Sequence, residues 1–311
     1  MRVSSSTFPN TLVQQLSKLT AKQSQLQNQI ATGQKLTLPE DDPTAMHRVL
    51  DFQTEESRIG QYQRNITYLR ETAEANYNVM KGIKKISDRA GEIATLADDT
   101  KSPTELRTLG QEVTQLIKQA VQMMNGKLRG DYLFGGTRNQ NPPYELATDS
   151  AGKVTSVTYQ GNSAVTETEI AENNPFSVQV TGANTSGSGP LGLITDSRTG
   201  ADFFNHLISL QQHLLDDDNA SVTATDRPNL ANDEENIISH LGSNGAMQAR
   251  LDTAESLIGS RQQGVSNLIS KEADADLSES IVRLSQSQTA YQAALQSASR
   301  ILDKSLMDYL R

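Results

Sequence analysis

The four histidines are the first residues that could do chemistry, as metal ligands or as general acids and bases. His206 and His213 are seven residues apart, which puts them two turns apart on one face of a helix, and no His-Glu-x-x-His spacing occurs. Two histidines without converging partners do not make a metal site. The sequence therefore predicts partly buried or surface histidines on helices at four positions, His47, His206, His213 and His240.

Clusters of carboxylates are the second candidate, because paired carboxylates can hold a cation or act as an acid and base. The run 216–218 uses consecutive positions, whereas calcium loops use alternate ones, so it favours a solvated helix end. Neither Asp98 with Asp99 nor Asp41 with Asp42 is accompanied by a recognisable cleft. Because Pro43 follows, Asp42 is predicted to cap a helix that begins at Pro43, and Asp41 belongs to the same structural turn.

The segment 187–192, Gly-Ser-Gly-Pro-Leu-Gly, has the letters of a dinucleotide-binding loop. Such a loop works only between a strand and the N-terminus of a helix, and neither flank fits here. The sequence has no cysteine and no serine nucleophile in a strand-turn-helix context. We therefore expect no cofactor, no metal and no enzymatic activity, with a ligand-binding module in the β region as a minor alternative.

The composition narrows the choice of partners. The 311 residues carry a net charge of −9, with only 35% apolar residues. Such a chain lacks the basic field that nucleic acid requires, and no apolar run reaches the roughly 20 residues of a membrane span. The Ser/Thr-rich start does not resemble a cleaved signal peptide, so export by a route without one stays open. A polar, lean composition favours long helices over one compact globule.

Apolar residues at alternating spacings of four and three mark both ends of the chain, as in a coiled-coil seam. Each seam contains one polar interruption, Gln23 in the first and Gln288 in the second. Because the two seams match in length and in these interruptions, we expect them to pair. The N-terminal seam comprises Leu12, Leu16, Leu19, Leu26 and Ile30, and the C-terminal seam comprises Ile281, Leu284, Tyr291, Leu295, Leu302, Leu306 and Tyr309.

The centre of the chain combines helices with a β-rich part. Helical periodicity runs from Phe52 to about Leu96, and a capping box at Ser102 opens the next helix, so the two form an antiparallel hairpin. Between about 137 and 185 the apolar period becomes two, which predicts strands. The Gly/Ser/Thr-rich segment 181–192 is predicted to be a flexible connector.

These patterns predict a mainly α protein, an elongated antiparallel helical bundle or coiled coil built from both ends of the chain, with a small β-rich insertion. The domain ranges are 1–45 for the N-terminal coiled-coil segment and 275–311 for its C-terminal partner. Residues 46–136 and 200–274 form the two parts of a long-helix rod. Residues 137–199 form a variable β-rich outer domain that includes the connector.

Several segments resemble the terminal regions of bacterial flagellins. Ala31–Pro43 and Gln286–Leu295 are similar to flagellin termini in general. The opening Met1–Ser6, the motif Gly130–Thr137 and the ending Ser305–Leu310 resemble one branch of that superfamily, the hook-filament junction proteins of the FlgL type, also called hook-associated protein 3. The resemblance covers about 140 residues at the front and 110 at the back.

The resemblance implies a structural adaptor between flagellar hook and filament, placed outside the cell. Members leave the cell through the flagellar type III apparatus and assemble as a ring of eleven subunits. The implied partners are further copies, a neighbouring hook-associated protein, flagellin, and an export chaperone that contacts the C-terminal seam. The alternative is a short flagellin that forms the filament itself. Two seams of this size cannot offset the entropy of ordering them until neighbours cover them, so we expect roughly residues 1–45 and 275–311 to be disordered in the free monomer.

Overall fold

The computed structural model describes residues 7–36, 38–40, 42–98 and 100–309, while the side chains of 7–10 and 301–309 lie outside that description. The chain divides into two compact units. The terminal unit comprises the described residues up to Ile59 and from Ser260 onward, and the central unit comprises Gly60–Gly259. The helical fraction is 66%, so the predicted mainly α fold with a small strand-containing region is confirmed.

The helices and strands follow one another in a simple order. The long helices are α1 (Thr7–Thr32), α2 (Pro43–Leu96), α3 (Pro103–Met124), α4 (Phe203–Leu215), α6 (Arg227–Ala273) and α7 (Leu277–Tyr309). A one-turn α5 (Asn219–Ser221) and a π-helical turn (Val222–Asp226) connect α4 to α6. The strands are β1 (Lys127–Leu128), β2 (Asp131–Tyr132), β3 (Tyr144–Thr148), β4 (Val154–Tyr159), β5 (Thr168–Ala171), β6 (Asn174–Phe176), β7 (Thr181–Asn184), β8 (Gly192–Asp196) and β9 (Ala201–Asp202).

Side-chain caps define where the helices begin. At the start of α3, Ser102 Oγ accepts from the Glu105 N–H at 3.4 Å while Glu105 Oε2 accepts from the Ser102 N–H at 2.8 Å, so the predicted capping box is present. The backbone and hydroxyl hydrogen bonds from Ser102 lower the pKa of Glu105. At the start of α7, Asp276 Oδ1 accepts from the Glu279 N–H at 3.0 Å. These local bonds satisfy backbone donors that helices leave open.

The strands form small sheets on the central unit. β1 pairs with β2, β3 with β4 and β5 with β6, each antiparallel, while β8 lies between parallel β7 and antiparallel β9. Residues of these strands and of the loop before β7 share one buried cluster with α2, α3 and α4. Tyr144, Val154 and Val180 all belong to it. The β region is therefore packed into the core of the central unit along one side.

The Gly/Ser-rich segment 181–192 is more structured than the sequence suggested. It contains β7, and the Asn184 amide donates to the carbonyls of Ser188 at 2.7 Å and Pro190 at 2.6 Å. Arg198 donates to the carbonyls of Gly189 and Pro190 while its guanidinium pairs with the buried Asp196 carboxylate at 2.7 Å. The prediction of a flexible connector missed this scaffold because the composition of a segment does not show which distant side chains bind it.

Asn125 fixes the point where the helices give way to strands. Its amide donates to the Tyr144 carbonyl at 2.8 Å, and its carbonyl accepts from the Tyr144 N–H at 2.9 Å.

We expect Asn125→Ala to lower the free energy of unfolding by about 2–4 kcal/mol, because two partly buried backbone groups lose their partners. Tyr144→Phe is the matched control. Since the buried Tyr144 hydroxyl has no partner in the described structure, its removal should cost less than about 1 kcal/mol. Urea unfolding of both variants measures the difference, and equal losses would contradict this account.

Candidate assembly surface

The candidate catalytic residues do not come together in the described structure. His47 contacts Asp51 on its own helix, and His240 contacts the Gly192 carbonyl at 3.1 Å. His206 and His213 each contact a buried aspartate on another segment. Within the described ranges, no three histidine, aspartate or glutamate side chains group as metal ligands would, and no helix is both long and apolar enough to cross a membrane.

The terminal unit instead presents a helix pair, α1 against α7. On α1 the pairing face is the predicted apolar stripe. Leu26 is 5% exposed, and the other seam leucines and Ile30 are half-buried. The Gln23 amide of the same stripe donates to the Ser287 carbonyl of α7 at 3.1 Å. The N-terminal seam residues therefore lie where α1 meets α7.

The face of α7 that meets α1 consists mostly of small residues. Its buried members are Ser280, Ser287 and Ala298, with Ala294 and the predicted seam residues Leu284 and Tyr291 half-buried beside them. Small side chains let two helix backbones approach closely, so the larger leucines of α1 fill the space between them. We call this set the inner stripe of α7.

Two of the predicted seam residues lie away from the inner stripe. Ile281 is 55% exposed and Leu295 is 44% exposed. At about 100° per residue, Leu277 and Leu295 lie about 60° and Ile281 about 100° round the helix from the centre of the inner stripe, so the three form a second row beside it. We call Leu277, Ile281 and Leu295 the outer stripe. The expectation that Ile281 and Leu295 pair with α1 is thus wrong within one chain, because the small residues of the inner stripe occupy that face.

The remaining sequence-predicted site residues divide into two groups. The Asp42 carboxylate accepts from the N–H groups of Thr44 at 3.1 Å and Ala45 at 3.0 Å, and α2 begins at Pro43. Asp41 and the side chains of Leu302, Leu306 and Tyr309 fall outside the described residues.

Short contacts where both chain segments turn hold the terminal unit together. α1 ends at Thr32, and the next residue, Gly33, has a positive φ of 71° that suits glycine. The Gly33 carbonyl accepts from the Ala275 N–H at 2.9 Å, and the Ala273 carbonyl accepts from the Lys35 N–H at 2.6 Å. Arg48 pairs with Glu272 at 2.9 Å, and the hydrogen bond and charge of Arg48 lower the pKa of Glu272. These contacts place the start of α7 beside the end of α1.

The terminal unit leaves much apolar surface uncovered. Among its described residues, one buried cluster contains Leu36, Ala45, Val49 and Ala273 with two partly buried neighbours, and Leu26, Ile59, Val265 and Ala298 are buried elsewhere. Large apolar side chains of the unit are exposed at Val13, Leu38, Leu50, Leu268, Leu277, Ile281, Val282 and Leu295. A small core under so many exposed apolar side chains is typical of a surface that another protein covers.

The charge of the protein is distributed unevenly between the two units. The segments 1–59 and 260–311 contain twelve basic and twelve acidic residues, which balance. The central unit contains the other 16 basic and 25 acidic residues, and so carries the entire net charge of −9. Copies of a terminal unit without net charge can pack side by side without long-range repulsion.

Comparison with known proteins relates part of the chain to a protein family. Residues 3–138 match the family model described as the bacterial flagellin N-terminal helical region. This match spans somewhat less than half of the chain, so the chain resembles flagellins over its N-terminal part. The comparison with curated proteins found no match.

Solved structures share the fold of this flagellin-like chain. One, from Vibrio parahaemolyticus and described as a flagellar hook-associated protein, has a TM-score of 0.63 at 18% identity, with 75% of this chain and 100% of that chain covered. Bacillus cereus FlgL has a TM-score of 0.56 at 18% identity, covering 71% and 99%. The flagellar junction protein FlgL from Legionella pneumophila has a TM-score of 0.55 at 14% identity, covering 73% and 100%. The flagellin-like chain therefore has the fold of FlgL-type hook-associated proteins, as its terminal segments suggested.

Proposed function

We propose that this flagellin-like protein is a structural adaptor at the junction between the bacterial flagellar hook and filament. The observation that carries the proposal is the terminal unit, which has a small core, exposed apolar side chains and no net charge. An enzyme would need a cleft with converging polar groups. An assembly subunit needs an apolar surface that its neighbours cover, as here. Similarity to solved hook-associated proteins supports the junction as the place of assembly.

The proposed partners are further copies of the chain in a ring of eleven, a neighbouring hook-associated protein, and flagellin. In the ring, the segments 1–45 and 275–311 pair as the innermost part. The rod segments 46–136 and 200–274 surround them, and 137–199 faces outward. Neighbouring subunits complete the ordering of the terminal segments, because one chain covers only part of their apolar surface.

Export precedes assembly in this proposal. The protein leaves the cell through the type III apparatus without a cleaved signal and functions outside. The export chaperone covers the C-terminal apolar residues during transit, with its contact at Leu295, Leu302, Leu306 and Tyr309. One apolar row then serves the chaperone first and neighbouring subunits afterwards.

Deletion of the coding sequence tests the junction role. We expect electron microscopy of the deletion strain to show hooks without filaments, and flagellin monomers to accumulate in the medium, because filament growth lacks its base. Expression of the intact protein from a plasmid should restore filaments. Normal filaments on the deletion strain would contradict the proposal.

The alternative, a short flagellin, predicts a different result from the purified protein. A filament subunit polymerises alone into long filaments, whereas a junction adaptor forms at most short assemblies. Light scattering followed by electron microscopy of concentrated protein distinguishes the two. Long regular filaments would select the flagellin alternative.

A further inference from the structure

Two pairs, each of a half-buried histidine and a buried aspartate, join α4 to the segment that leads into α6. His206 Nδ1 lies 2.7 Å from an Asp233 oxygen, and His213 Nδ1 lies 2.7 Å from an Asp226 oxygen. Both aspartates are buried, Asp226 at 0% and Asp233 at 1% exposure. The histidines are seven residues apart, and so are the aspartates, so the pairs repeat in register along two antiparallel segments.

The two carboxylates have few other partners. Asp226 also accepts from Ser209 Oγ at 2.8 Å, and Asp233 accepts from the Asp202 N–H at 2.9 Å. A buried carboxylate without a positive partner is costly, and the cation that can neutralise each one here is a histidine. Histidine is the side chain that gains or loses its charge near neutral pH.

Other charged groups around the His206 pair make loss of its proton more costly. Asp202 at the start of α4 and the buried Asp226 both add negative charge near His206. Asp218 at the start of α5 lies near His213. Two basic side chains on adjacent segments are engaged elsewhere. Arg227 donates to the carbonyls of Ala94 and Thr95, and Lys153 donates to Gln212. In alkaline solution Asp233 therefore keeps its charge while His206 loses its own.

The connection between α4 and α6 is the segment that a weakened histidine-aspartate contact would loosen. It contains the one-turn α5 and a π-helical turn, a rare geometry, and Asp226 is the last residue of that turn. The apolar face of α4, including Leu207 and Leu214, belongs to the buried core and contains no group that titrates. A weakened pair would thus loosen the connection and the polar side of α4 without unfolding the unit.

We propose that the His206–Asp233 pair acts as a pH-responsive latch beside the His213–Asp226 contact, holding α4 to the start of α6 in acidic to neutral solution and loosening in alkaline solution. This inference is independent of the assembly surface, because all its residues lie in the central unit.

The direction of the pH effect follows from the His206 pair. Burial lowers the pKa of His206, but the hydrogen bond and charge of Asp233 outweigh it and leave the pKa raised. Burial also raises the pKa of Asp233, so both members hold protons more tightly in the folded chain. Because the pKa of His206 is higher in the folded chain than in the unfolded one, the pair stabilises the fold fully at pH values below the unfolded pKa of about 6.5. This stabilisation is lost as the pH rises through the pKa that His206 has in the folded chain.

Amide hydrogen exchange on the full-length protein tests the latch. After correction for intrinsic exchange rates, we expect protection of α4 and of residues 216–226 to fall by roughly tenfold between about pH 6 and pH 9. The double variant His206→Gln/His213→Gln should lack this fall, because glutamine can donate a hydrogen bond but cannot titrate. Amides of α7, a helix of the terminal unit that contains no histidine, serve as an internal control. Unchanged protection in the native protein, or an equal fall in the double variant, would overturn the proposal.

A second measurement does not depend on the variant folding. The imidazole resonances of the native protein report the titration of each histidine directly. We expect the His206 midpoint to lie above about 6.5 and the α4 resonances to shift with it. A midpoint at or below that value would also overturn the proposal.

Discussion

Leu295→Asp is expected to abolish motility while leaving the central unit folded. Leu295 lies on the outer stripe of α7, 44% exposed and outside the face that meets α1, so the single chain should tolerate the carboxylate. If neighbouring subunits cover this stripe, each assembled contact would bury an unpaired charge. That costs at least about 3 kcal/mol, or roughly 100-fold in affinity per contact. Swimming in soft agar and electron microscopy of the cells measure the result.

The control for Leu295→Asp is Gln286→Asp, which adds the same charge to the same helix on an exposed position away from both stripes. It should leave swimming nearly unchanged, because no apolar surface is lost. Thermal unfolding of both purified variants should match that of the native protein for the central unit. Normal swimming of the Leu295 variant would show that the outer stripe is not an assembly contact.

Ser287→Phe is expected to separate α1 from α7. Ser287 is 8% exposed on the inner stripe, and its backbone carbonyl accepts from Gln23 on α1. The phenyl side chain cannot fit in that space beside the seam leucines, and overpacking of this kind lowers the free energy of unfolding by about 1–3 kcal/mol. Because the pair has few other buried side chains, that loss should be enough to release α1. Assembly and motility should fail with it.

Limited trypsin digestion measures this separation directly. Lys18 and Lys22 are exposed cleavage sites on α1, protected only while the backbone is helical. We expect cleavage there to become about tenfold faster or more in Ser287→Phe, since 1.4 kcal/mol corresponds to a factor of ten. Ser285→Phe places the same ring on an exposed position two residues away and should leave the rate unchanged. Equal rates in both variants would show that the inner stripe does not hold α1.

The features that the sequence predicted well depend on residues close together in the chain. The capping box at Ser102 and the cap at Asp42 each join residues no more than three apart, so the local sequence contains both partners of each interaction. The periodicity of α1 likewise marks the face that meets its partner. Short-range geometry is fixed by the helix itself, and the sequence therefore contains enough information to predict it.

The features that were missed depend on distant residues or on small ones. The face of α7 was assigned by its large apolar residues, although Ser280, Ser287 and Ala298 make the closer approach to α1. The signal available in the sequence was the seven-residue spacing of the small residues Ser280, Ser287 and Ala294. The His206 and Asp233 pair spans 27 residues, and nothing in either segment alone indicates it. Such contacts are set by how whole helices pack, which local patterns do not encode.

The balance of charge in the terminal segments determines how their assembly responds to salinity. Attraction or repulsion between net charges would strengthen or fade with the ion content of the surrounding water, since the screening length changes from about 30 Å to 3 Å between dilute and concentrated salt. With twelve charges of each sign, these segments rely on apolar contact instead. A structure built from them outside the cell would hold in fresh water and in brine alike.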